Sequence, residues 1–281
     1  MMKYIKDFAK KLISRKMSIS YHEMNMLLGQ TGMVSPITNN NDIISLIHKL
    51  APVTGDNLDL VRFGPNGDGG YLIPDDLNGI EACFSPGVND VSGFEKDCAE
   101  NGMIVFLADR SVDQAAEFDE KFHFTKKFIS ITTNDDYMTI DDWVSSSIPA
   151  SKSDLLLQMD IEGLEYEVIL GISDNLLRRF RVIVIEFHSL ERLWNKHFFK
   201  FSSRAFEKIL QTHTCVHIHP NNCCGSIKKN RITIPNTAEF TFLKTNRIIN
   251  PSFVVKFPHP LDYNNTGKPT LPLPKCWYCE R

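Results

Sequence analysis

The sequence predicts an α/β domain whose mostly parallel, Rossmann-like sheet holds a nucleotide-like cofactor above the carboxyl edge of its strands. Three observations carry this. Met103–Ala108, Leu155–Met159 and Arg181–Phe187 are almost unbroken apolar runs, as strands buried on both faces require. Helix-length segments separate them, which implies parallel βαβ units. Each run gives way to a polar residue where a loop begins, namely Asp109, Asp160 and His188.

The elements follow in order. Residues 1–57 read as a helical appendage. Met1–Lys16 mixes apolar residues with lysines at helical spacing, a short surface helix whose apolar runs are too short to span a bilayer. Met24–Leu28 and Asp42–Leu50 resume that spacing, and Pro52 stops it because its ring cannot continue the ladder. Residues 58–250 form the α/β domain. Asn66–Gly70 is a turn into the short strand Tyr71–Ile73, and Ile80–Phe84 is a strand ending in Ser85-Pro-Gly-Val-Asn-Asp90. Val91–Asn101 reads as a helix and Phe122–Ile131 as a strand. Thr139, with Asp142 three residues on, caps another helix. Glu165–Gly171 and Phe201–Leu210 are helical, whereas Cys215–His219 and, after a polar loop, Ala238–Leu243 are strands. In residues 251–281, Pro251, Pro258, Pro260, Pro269, Pro272 and Pro274 deny regular ladder bonding, so an irregular tail dispensable for the sheet core is expected.

Composition narrows the function classes. A chain of 281 residues that is 42 % hydrophobic and 23 % charged is an ordinary globular protein. Its net charge of -3 offers no broad attraction to nucleic acid, and no stretch predicts a transmembrane segment or a secretory signal. Seven cysteines, an odd number in a chain long enough to build its own core, fit free thiols in a reducing, cytoplasmic compartment. Cys276 and Cys279 form the single CxxC pair, close to the last residue and away from any helix start. A homo-oligomer stays open.

The turn Ser85, Pro86, Gly87 to Asp90 lies between a strand and a helix, where ligands bind in doubly wound sheets. Gly87 allows close backbone approach, and the amides opening the next helix favour electron-rich ligand atoms. The GxGxxG pattern is absent, which argues against a dinucleotide. Asp109 stands 22 positions after Gly87 at the end of the neighbouring strand. It can accept from both ribose hydroxyls, or else cap the turn at Ser111.

Further polar groups end or begin the apolar strands: Asp160 and Glu162, Glu186 and His188, His217 and His219, and Glu239. If the last strand runs antiparallel, Glu239 reaches the same edge from its opposite end. Alternation puts Glu186 with His188, and His217 with His219, on one face. Three readings stand side by side. Asp160, His188, His219 and Glu239 suit a divalent cation such as Mn²⁺, Fe²⁺ or Mg²⁺. Alternatively His188 is a general base oriented by Glu186, with Asp160 beside it. The third is a satisfied polar network without an ion.

Gly67-Asp-Gly-Gly-Tyr71, Phe84-Ser-Pro-Gly-Val-Asn-Asp90 with Phe94-Glu95, Met159-Asp-Ile-Glu-Gly-Leu-Glu165 and Ile185-Glu-Phe-His188 together resemble the FkbM-type S-adenosylmethionine-dependent methyltransferases. His217-Ile-His-Pro-Asn-Asn222 and Ile234-Pro-Asn-Thr-Ala-Glu-Phe-Thr-Phe242 extend the likeness, which covers about residues 58–245. The resemblance implies a class I methyltransferase sheet of seven strands with the last antiparallel. It also implies S-adenosyl-L-methionine cradled by Ser85–Asp90 with its ribose on Asp109. O-methylation of a small polar acceptor follows, a sugar or a phosphorylated surface-glycan precursor in polysaccharide biosynthesis. Another nucleotide-dependent sugar-modifying enzyme, or a cofactor-binding scaffold without chemistry, would use the same sheet.

Overall fold

The computed structural model of the protein describes residues 36–88, 91–149 and 152–278. The expected helices at Met1–Lys16 and Met24–Leu28, together with Asp90 and Cys279, lie outside the described residues.

Seven strands form the central sheet: β1 Ile80–Pro86, β2 Ile104–Ala108, β3 Phe122–Thr125, β4 Asp154–Met159, β5 Phe180–Phe187, β6 His213–Pro220 and β7 Ala238–Lys244. Their spatial order is β3-β2-β1-β4-β5-β7-β6. All neighbours pair in parallel except β7, which runs antiparallel to both β5 and β6. This is the mostly parallel seven-stranded sheet with an antiparallel last strand that the sequence predicts. The chain winds from β1 toward β3 and then returns to start β4 beside β1. The carboxyl ends of β1 and β4 therefore flank the crevice at the switch point, where open α/β sheets bind ligands.

Alternation sorts the side chains into two layers. One face sends Phe84, Leu157, Ile185 and Phe240 into the larger core, against helices α1 (Asn40–Lys49), α3 (Ile140–Ser147), α4 (Glu165–Gly171), α5 (Asp174–Leu177) and α6 (Lys196–Leu210). The other sends Cys83, Leu156, Val184 and Leu243 against α2 (Gly93–Glu100) and the hairpin Leu60–Phe63/Tyr71–Pro74. Thr241 on β7 fastens that hairpin by donating to the Leu72 carbonyl at 2.6 Å. A register shift between Cys215 and His217 leaves His217 opposite Thr241 and His219 opposite Glu239. Both histidines thereby face the hairpin side.

Local departures from the sequence reading have local causes. Helix α6 begins at Lys196 rather than Phe201, because Asn195 Oδ1 accepts from the amides of His197 and Phe198 at 3.0 and 3.1 Å. The polar loop before β7 contains a hairpin, Ser226–Lys229 with Ile232–Pro235. Cys223 and Cys224 are joined by a disulfide where free thiols were expected.

The largest correction concerns the tail. Its backbone is irregular, yet against the expectation of a dispensable tail its side chains enter the core. Trp277, 1 % exposed, and Leu273 belong to the larger core. Trp277 Nε1 donates to the Thr233 carbonyl at 3.0 Å. Ser252–Phe253 pairs with Val53–Thr54, and Asn222 Nδ2 donates to the Lys268 carbonyl at 2.7 Å. The prolines deny ladder hydrogen bonds, but side chains between them still bury. Trp277→Ala is expected to cost about 3–5 kcal/mol in urea unfolding, the range for truncating a buried aromatic. A loss below about 1 kcal/mol would return the tail to the status of a loose extension.

Candidate active site

The site begins with a backbone contact. Gly87, directly after β1, has φ +86°, and a Cβ there would lie 1.6 Å from the Asp160 carbonyl oxygen. Its amide donates to the Ala108 carbonyl at 3.0 Å, while the Asp160 amide donates to the Pro86 carbonyl at 3.2 Å. The ends of β1, β2 and β4 are thus stitched together at the switch point, and only glycine fits the stitch.

Asp160 opens the turn Ile161-Glu-Gly-Leu164 that leads into α4. Glu162 sits at φ +56°, a left-handed conformation that is strained for this residue type. Glu165, the first residue of α4, is fully buried, and its Oε1 accepts from the Gly163 amide at 2.8 Å. The same oxygen meets His188 Nδ1 at 3.0 Å. His188 follows β5 and is held from the other side by Tyr166, whose hydroxyl donates to the His188 carbonyl at 2.9 Å. The ring is therefore pinned through Nδ1, and its Nε2 looks into a carboxylate cage. Glu162 Oε2 lies at 3.5 Å, Glu186 Oε1 at 3.7 Å and Asp160 Oδ1 at 3.8 Å. Two oxygens of this cage, Asp160 Oδ1 and Glu165 Oε2, are buried without a hydrogen-bond partner.

Charges follow from this crowding. Burial pushes Asp160 up to about 7, helped by Glu162, Glu165 and Asp68 and opposed by His188. Glu186 is pushed up strongly by burial, then by Asp160 and Glu239. Burial alone would lower His188, but the Glu165 hydrogen bond and the surrounding carboxylates outweigh it and bring it up to about 9. His188 is accordingly an imidazolium near neutrality. In that state it cannot take a proton, and its orienting partner is Glu165 rather than Glu186. Asp160 is the group with a free lone pair beside it.

The four expected metal ligands are not gathered. Asp160 and His188 meet, but Glu239 accepts from Asn265 Nδ2 at 2.6 Å, and His219 turns Nδ1 toward Asp262 Oδ1 at 3.5 Å. Glu165 takes their place: Asp160, Glu165 and His188 each bring one ligand-capable atom within 4.8 Å of the others. Glu186, Glu239 and His219 instead form a row across β5, β7 and β6, each opposite the next. Asn221 serves Glu186 by donating from Nδ2 at 3.1 Å.

At the turn after β1, the Ser85 hydroxyl is buried and turned away from the rim, bonding Glu95 and Gln158, the latter at 2.6 Å. Ser85 and the buried Pro86 thus support the turn from within. Asp109 Oδ1 accepts from the amide and hydroxyl of Ser111 at 2.7 and 2.6 Å, so capping is one role it fills. Ser92, at the N-terminus of α2, carries a buried hydroxyl with no hydrogen-bond partner. Sequence reading left Glu165, Ser92 and Tyr71 without roles. Tyr71 comes from the Gly67-Asp-Gly-Gly-Tyr71 turn, and burial with Asp160, Glu186 and Glu239 nearby raises its phenol well above the ordinary value.

The His188 environment makes a titration decisive. A histidine whose folded pKa is about 9, against 6.5 ordinarily, adds stability that is full below about pH 6.5 and lost as pH rises through 9. Imidazole NMR is expected to show His188 protonated at pH 7.5, and Glu165→Gln is expected to lower its pKa by about one or more units. A wild-type ring already neutral at pH 7.5 would contradict the pinning.

Against known proteins, residues 77–213 match the family model described as the methyltransferase FkbM domain. No curated protein matches the chain. Among solved structures, a putative RNA methyltransferase from Pyrococcus horikoshii shares 14 % identity over 59 % of this chain and 76 % of its own, with a TM-score of 0.32. Spermidine synthase from Thermotoga maritima shares 9 % over 75 % of this chain and 79 % of its own, with a TM-score of 0.34. These are likenesses of fold alone. Among the described residues no helix is long and apolar enough to cross a membrane. By its motifs and by the matched residues 77–213 alike, the resemblance of this chain to the FkbM methyltransferases holds.

Proposed function

We propose that the chain is an S-adenosyl-L-methionine-dependent O-methyltransferase acting on a small polar, hydroxyl-bearing acceptor such as a sugar. One observation carries the reading: buried, unpartnered carboxylate oxygens of Asp160 and Glu165 sit beside His188, against the Gly87 turn at the switch point. The Ser92 hydroxyl at the start of α2 and the Asp109 carboxylate at the end of β2 are the groups that would hold the cofactor. When bound, that cofactor supplies an electrophilic methyl group.

The chain's own residues then face one chemical task. A neutral hydroxyl is a poor nucleophile until its proton is taken or weakened. Asp160 is placed to accept that proton at Oδ1, with the His188 imidazolium stabilising the charge. Glu165 fixes the ring so that Nε2 stays toward the acceptor side.

The same donors fit a divalent cation. With its Nδ1–H committed to Glu165, His188 would present a bare Nε2, the arrangement that orients metal-bound histidines. Asp160 supplies an oxygen without a partner, and mixed oxygen and nitrogen donors suit Mn²⁺, Fe²⁺ or Mg²⁺. Such an ion would lower the pKa of an acceptor hydroxyl. The acidity of the rim favours a neutral acceptor over a phosphorylated one.

Calorimetry with S-adenosylmethionine tests the cofactor half. Asp109→Ala is expected to weaken binding by about 1–3 kcal/mol, the scale of charge-assisted hydrogen bonds. Unchanged affinity in a folded variant would remove Asp109 from the site. Radiolabelled methyl transfer to a panel of glycosides tests the chemistry. Turnover should vanish in Asp160→Asn, and it should fall on chelation and return with Mn²⁺. Full turnover in protein shown to be metal-free would leave Asp160 as the sole proton acceptor.

A further inference from the structure

We propose that the cavity beneath the C-terminal strap (residues 251–278 of the tail) is an acceptor subsite for a neutral, hydroxyl-bearing ring lying next to the group that is methylated. The proposal rests on the methyl-transfer reading and adds where the rest of the acceptor is held. Ile218 and Pro220 at the end of β6 form the floor, and Phe257, Tyr263 and Asn264 of the strap form the walls. The cavity volume is about 290 Å³, room for one small ring.

His219 lines the same cavity and is 8 % exposed. Its Nδ1 faces Asp262, while its Nε2 is buried with no hydrogen-bond partner. A buried ring nitrogen left in that state is costly, so a ligand hydroxyl is the natural partner. Asp262 is already committed: His217 Nε2 meets its Oδ1 at 2.8 Å, and the His259 amide donates to its Oδ2 at 2.8 Å.

Charge sets the ligand class. Among the described residues no lysine or arginine lines the cavity, and Asp262 contributes a carboxylate. Arg62, stacked over Tyr263 at 5.1 Å, directs a donor from each of its three nitrogens to the carbonyls of Pro65, Leu261 and Gly67. Among the described residues a phosphate would meet only the His219 ring, already flanked by the carboxylates of Asp262 and Glu239. Aromatic walls with isolated polar groups suit the C–H face and hydroxyl edge of a neutral ring.

Position sets the acceptor's reach. His219 lies opposite Glu239, which lies opposite Glu186 beside His188. Two strand spacings place the cavity about 10 Å from the methyl-transfer rim. One ring at the rim and a second under the strap would fill that span. The strap residues fall beyond the 77–213 match.

Saturation-transfer NMR on the full chain with S-adenosylhomocysteine present tests this, using the neutral methyl glycosides of glucose, galactose and mannose as probes and inorganic phosphate as competitor. Transfer to at least one glycoside is expected, unaffected by phosphate. Its affinity should fall about tenfold in His219→Phe and in Tyr263→Ala, with S-adenosylhomocysteine affinity held within about twofold. Tyr263 sits on the exposed strap, so its variant remains informative if His219→Phe does not fold. Protein that binds S-adenosylhomocysteine but shows no transfer to any glycoside overturns the proposal, as does transfer unchanged in both variants or displaced by phosphate. Glycoside transfer without S-adenosylhomocysteine binding would support the cavity's ligand while overturning the methyl-transfer reading.

Discussion

The approach of Gly87 to the Asp160 carbonyl governs the rest of the molecule's chemistry. It joins the ends of β1 and β4 at the one place where the sheet reverses its winding. Any side chain at position 87 would drive those strand ends apart. Because Asp160 is fixed there by its own backbone, the turn that follows must carry Glu165 back beneath it. His188, on the next strand over, meets Glu165 through Nδ1 and turns Nε2 toward Asp160. Backbone packing thus places a carboxylate, an imidazole and the Gly87 turn on one rim.

The rim is unusual in its balance. Asp160, Glu162, Glu165 and Glu186 surround a single imidazole, with Glu239 and Asp262 further along the sheet edge. Burial lifts both Asp160 and Glu239 to about 7, with neighbouring carboxylates adding to the shift and His188 and His219 opposing it. Natural structures keep such crowding where a ligand, a cation or a reacting group relieves it. The strap tempers it at the far end, with Asn265 on Glu239 and the histidine pair on Asp262.

Much of this was legible in the sequence, for a physical reason. Strands buried on both faces announce themselves as apolar runs, and the residues that end them must lie on the sheet's carboxyl edge. Asp160, Glu186, His188, His219 and Glu239 were therefore placed on one rim by topology alone, given the antiparallel β7. What topology does not supply is the direction of each side chain's hydrogen bonds. Glu165 reads as an ordinary acid in the first turn of a helix, a favourable position for any carboxylate. Only the fold reveals that it buries itself against His188. Ser85 misled in the opposite sense, since its place on the turn said nothing of Glu95 waiting across the α2 interface. The tail escaped because proline spacing speaks only to backbone ladders, whereas Trp277 and Asn265 act through side chains.

The central claim is that the Gly87 turn and the Asp160–His188 pair serve one reaction. A crystal structure of the chain with S-adenosylhomocysteine tests it most directly. The account predicts the ligand in the crevice between β1 and β4, with its ribose at Asp109 and its sulfur facing the Asp160 carboxylate. A ligand bound away from that crevice, or one whose sulfur points away from Asp160 and His188, would contradict it.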